Sequence, residues 1–151
     1  MRLAFVTNFP LLDSENGDYV FNLIKNLRQS EHVAQITLIT NKSYGKFDFC
    51  FEEKGCKVII KESWVRGKFN SNSICNYLEY LNPSIILYNL KKLDVDELTS
   101  KRKIEMISTS TYKVEKFDEF PIWLEIRDQQ EFFKVKDLFG DVYKKNNISV
   151  A

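Results

Sequence analysis

Leu3-Ala4-Phe5-Val6, almost at the start of the chain, is an unbroken apolar run of strand length. A run with no polar side suits a strand covered on both faces, as in a parallel sheet. The polar loop that follows, Thr7 to Gly17, contains one glycine, at its far end. A helix is then predicted from Asp18 to Leu27, because Val20, Leu23, Ile24 and Leu27 recur at helical spacing on one face. In open α/β sheets, a strand whose carboxyl end feeds a helix amino end creates the edge where ligands bind.

The same kind of run recurs. Val33 to Thr40 is β-branched and largely apolar, Cys56 to Ile60 is a third strand, and Ser84 to Tyr88 a fourth. Between them, Ile74, Tyr77, Leu78 and Leu81 place a helix over Ser73–Leu81, stopped by Asn82-Pro83. A short helix is predicted from Asp94, as its cap, to Arg102, and further strands over Ile104–Ser108 and Ile122–Ile126. Phe47, Phe49 and Phe51 alternate within Lys46–Lys54, the pattern of an edge strand or extended arm. Lys61 to Asn72 reads as a loop, and Gln129 to Asn146 as a helix weakened at Gly140. Strands alternating with helices predict an α/β layer architecture with a mainly parallel sheet and right-handed crossovers.

Charge and cysteine usage narrow the function classes. With 22 basic and 21 acidic residues the net charge is +1, so no broad field for nucleic acid is implied. No apolar stretch is long enough to span a bilayer, and the amino terminus reads as a strand instead of a signal peptide. A cytoplasmic protein is the expectation. Cys50, Cys56 and Cys75 are odd in number, and His32 is the only histidine. Structural disulfides and a Cys/His metal site are therefore not expected, and neither is a cofactor. Gly-x-Gly-x-x-Gly and Gly-x-x-x-x-Gly-Lys-Ser/Thr are both missing, which argues against dinucleotide or ATP binding.

Arg2 to Pro10, the loop ending in Gly17, the helix from Asp18, and Leu27 to Val33 leading into Thr37-Leu38-Ile39-Thr40 resemble the start of a two-Rossmann-domain, GT-B type glycosyltransferase, close to the large retaining family 4. Trp123-Leu124-Glu125-Ile126-Arg127-Asp128 resembles that family's later strand ending in a His-Asp or Arg-Asp pair at the interdomain cleft. The resemblance implies that residues 1–151 form one Rossmann-like three-layer sandwich with a doubly wound sheet, the acceptor-side half of the enzyme. It implies transfer of sugar from a nucleotide-sugar to an acceptor hydroxyl. It also implies Asn8, Asn16, Gly17, Arg127 and Asp128 as substrate-binding residues, with Asp128 the candidate catalytic group. His32 resembles a family residue that packs or caps. Where the family commonly has a glycine pair, Asn16 and Gly17 stand here. The family's second, donor-binding domain, with its paired glutamates, has no counterpart in this stretch. Donor binding is expected to come from a further domain or a partner subunit, and activity is not expected without it.

Each of these residues has a plainer alternative. Gly17 lets backbone approach a phosphate or sugar, or simply closes a loop. Asp13 and Glu15 orient an acceptor hydroxyl or are solvated loop carboxylates. Asp128 accepts a proton or hydroxyl bond, or caps the helix from Gln129. Arg127 grips a phosphate as a planar fork or forms a surface ion pair. Trp64, Arg66, Lys68 and Phe69 make a stacking surface, or bury a tryptophan behind a basic rim. The rival reading of the whole chain is a non-enzymatic α/β interaction module, homo-oligomeric or part of a larger assembly. A receiver-like regulatory domain fits less well, because Thr7-Asn8 and Lys61-Glu62 stand where it carries acidic residues.

Overall fold

The central strand of the sheet is the first in the chain. The computed structural model describes residues 1–7, 26–41, 50–53, 56–65, 67–103 and 122–139. In it β1 (Arg2–Thr7) pairs in parallel with β2 (Gln35–Asn41) on one side and with β5 (Ile85–Asn89) on the other. β4 (Cys56–Trp64) continues the parallel set beyond β2. β3 (Cys50–Glu53) and β6 (Ile122–Ile126) close the two edges, each antiparallel to its neighbour. The order is β3-β4-β2-β1-β5-β6. The sheet is thus mixed and mostly parallel, as the sequence predicts, with the two antiparallel strands at its edges. Among the described residues between β2 and β4, the chain forms the edge strand β3.

The apolar runs are buried because both faces are covered. On one face Leu3, Phe5, Leu38, Val58 and Leu87 pack with Leu27, Phe132, Val135 and Phe139. Leu27 lies at the end of a helical segment. Phe132 and Val135 belong to α3 (Gln129–Val135), and Phe139 to the 3₁₀ turn that follows it. On the other face Ala4, Val6, Ile39, Ile86 and Tyr88 pack with Ile74, Leu78, Val95 and Leu98. Those last four come from α1 (Ser71–Leu81) and α2 (Lys92–Arg102). Phe5 is fully enclosed, and truncation to Ala there costs about 3–5 kcal/mol.

The helix ends follow local chemistry. The Asn70 side chain accepts from the Ser73 N–H at 3.1 Å and caps α1. Asn82 ends that helix in the left-handed conformation, φ 45°, its N–H returning to the Leu78 carbonyl. α2 starts at Lys92, two residues before the Asp94 that the sequence marks as its cap, and has no side-chain cap. Asp94 lies in the first turn, where a carboxylate still favours the positive end of the helix. The two helices are tied together by Lys101, whose Nζ donates to Ser71 Oγ and, at 2.9 Å, to Asn72 Oδ1. Ser71 Oγ in turn donates to Glu97 Oε1 at 2.9 Å.

Two further expectations need correcting. β4 does not stop at Ile60 but runs through Lys61, Glu62 and Ser63 to Trp64. A register shift between Thr40 and Asn41 lets the extra residue into the pairing, so a polar stretch stays in the sheet. The last helix ends its α-helical part at Val135 and tightens into 3₁₀ geometry over Lys136–Phe139. The helix from Asp18 up to Lys25, Phe47, Phe49, the strand over Ile104–Ser108 and the stretch beyond Phe139 lie outside the described residues. Among the described residues no helix is long and apolar enough to cross a membrane.

Candidate functional site

The parallel strands β1, β2 and β5 end in polar residues that the sheet places side by side. Thr7 of β1 is in register with Thr40 of β2 on one flank and with Asn89 of β5 on the other. Neighbouring residues in register share a face, here the one that carries Phe5, Leu38 and Leu87. All three are buried. Thr7 Oγ1 donates to Asn89 Oδ1 at 3.2 Å. Thr40 Oγ1 is buried with no hydrogen-bond partner among the described residues. A buried hydroxyl of this kind costs about 1–3 kcal/mol until an acceptor or donor reaches it.

The position in the fold matters as much as the residue types. From β1 the chain moves first to β2 and β4 on one side, then crosses to β5 on the other. The direction of winding reverses between β1 and β5, and Thr7 and Asn89 stand at the carboxyl ends of those two strands. Such a reversal parts the connecting segments and leaves a crevice outside the strand ends. The row is neutral, made of two hydroxyls and an amide. Its hydroxyls and amide are of the kind that pair with other hydroxyl groups, and it offers no fixed charge to a phosphate.

The residues singled out in the sequence fall into two groups. Asn8, Asn16 and Gly17 lie outside the described residues, Asn8 directly following Thr7. Arg127 and Asp128 are on the opposite edge of the sheet. β6 is antiparallel to β5, so its last residue, Ile126, pairs with Ile85 at the amino end of the parallel set. The Arg127 and Asp128 N–H groups both donate to the Ser84 carbonyl, at 2.8 and 3.1 Å. The length of β5, about 15 Å at strand rise, separates them from Thr7 and Asn89. Asp128 Oδ1 accepts from the Glu131 N–H at 3.1 Å, and Asp128 is the N-cap of α3. His32 meets Glu31 at 3.7 Å on the surface, and its carbonyl accepts from the Met1 ammonium at 2.7 Å. Trp64 is buried and packs edge-on against Phe69, with centroids 5.2 Å apart, so it belongs to the core.

A second polar group is buried on the other face, between β5, β6 and the end of α2. Glu125 is 1% exposed. Its Oε1 accepts from the Tyr88 hydroxyl at 2.7 Å, and its Oε2 accepts from Arg102 Nη2 at 2.7 Å. Burial pushes the Tyr88 phenol well above its ordinary range, and the Glu125 charge adds to the shift. The phenol therefore stays a neutral donor. Thr7, Thr40 and Asn89 carry a signal in the sequence, as the polar residues that close apolar runs. Glu125 does too, as the lone carboxylate inside an apolar strand. Nothing in the sequence joins it to Arg102.

The chain matches no family model, no curated protein and no solved structure. Its own geometry is what bears on function.

Proposed function

We infer that the chain is a Rossmann-like α/β domain that binds a hydroxyl-bearing ligand at the carboxyl edge of β1 and β5. In this reading it acts as the acceptor-side half of a glycosyltransferase. One observation carries the inference: the buried Thr7–Asn89 hydrogen bond at the point where the strand order reverses, flanked by the Thr40 hydroxyl. Buried neutral hydroxyls and amides recognise a sugar hydroxyl well, because leaving either side unpaired is costly. Helices on both faces and the parallel order β4-β2-β1-β5 support the Rossmann-like assignment.

On this reading Asn8, Asn16 and Gly17, in the stretch that the sequence predicts to be a loop after Thr7, contribute to acceptor binding. A donor-binding domain or partner subunit supplies the nucleotide-sugar site, so the transferred sugar arrives from outside this fold. Arg127 and Asp128 do not meet that acceptor, since they face the other edge.

The test is amide chemical-shift mapping of the full chain with glucose, galactose, mannose and N-acetylglucosamine, each free and as a nucleotide-sugar. Free sugars are expected to shift the amides of Thr7, Thr40 and Asn89, and Asn89→Ala is expected to abolish the response. Shifts confined to the Arg127–Asp128 edge, or no saturable shift with any sugar, overturn the acceptor site. Transfer itself is read separately, as turnover that appears only when a donor-binding partner chain is added.

A further inference from the structure

We draw no further inference here: the strongest candidate, the surface patch where the exposed Tyr80 stacks on Tyr77 of α1 with Lys61 of β4 over the Tyr77 ring, carries nothing, because nothing in the structure shows what covers it.

Discussion

Replacing Glu125 by Gln leaves shape and volume nearly unchanged but removes the charge that balances Arg102. The Gln carbonyl can still accept from Tyr88. Its amide, however, presents a donor to the Arg102 guanidinium that now sits at 2.7 Å from a carboxylate oxygen. Breaking a buried pair from one side costs about 3–5 kcal/mol, because the surviving charge stays out of water. Arg102 keeps a tenth of its side-chain exposure, so the lower end of that range, about 3 kcal/mol, applies. At this chain length that lowers the melting temperature by about 6–12 °C. Urea unfolding followed by tryptophan fluorescence measures it, since Trp123 is two residues from the change and Trp64 lies in the same core cluster. The triple variant Tyr88→Phe/Arg102→Met/Glu125→Leu should recover most of the loss, because it removes both charges together with the phenol hydroxyl that would otherwise lose its acceptor. A Glu125→Gln loss below about 1 kcal/mol, or a triple variant no more stable than Glu125→Gln, would refute the buried-pair account.

Three other outcomes follow from the described geometry. Tyr88→Phe removes a hydroxyl bonded to a charged group and should cost about 1.5–3 kcal/mol at neutral pH, read by urea denaturation. Tyr88 also shapes the alkaline limb: its folded pKa is raised above the ordinary phenol value of 10.0, so the unfolded chain releases that proton first. Its contribution is complete below about pH 10 and is lost as pH rises from there toward the folded value, and Tyr88→Phe should flatten that limb. The raised Cys56 and Cys75 thiols act in the same sense and remain in the variant, so the slope should lessen without vanishing. Asp128→Ala should cost about 1 kcal/mol through the lost α3 cap and leave sugar-induced shifts at Thr7 and Asn89 intact; loss of those shifts would put Asp128 in the site. Lys103→Gly should stabilise by a few tenths of a kcal/mol to about 1 kcal/mol in thermal melts, since Lys103 caps α2 at φ 56°, where glycine fits without strain.

The strands were legible because burial on both faces leaves an unmistakable pattern. Leu3–Val6 and Ile85–Tyr88 lie in the middle of the sheet, and both read as fully covered. Helix α1 was legible through Ile74, Leu78 and Leu81, all of them buried. Direction was not. Ile122–Ile126 has the same pattern whether it runs with β5 or against it, and only the antiparallel pairing sends Arg127 and Asp128 to the far edge. The length of β4 was hidden for a different reason: Lys61, Glu62 and Ser63 break the apolar run, and a bulge within β4, at Ser63, keeps the ladder going. The candidate site was half-visible. Thr7, Thr40 and Asn89 stand out as polar closers of apolar runs, but their alignment in one row depends on strand order. The Glu125–Arg102 contact joins residues 23 positions apart on different elements, and local spacing says nothing about such a pair.

The central place of β1 has a consequence for how the chain is made. Its partner on one side, β2, leaves the ribosome soon after it, but its partner on the other side is β5, which ends at Asn89. Once Trp64 has emerged, the half-sheet β3-β4-β2-β1 has all its strands and ends on an unpaired, fully apolar edge formed by Leu3–Val6. At 5–20 residues per second, that edge waits about 1–5 s for β5. An exposed apolar strand edge is a template for pairing with another nascent chain. Slow translation between Trp64 and Asn89 should therefore lower the yield of folded protein more than the same delay placed after Asn89.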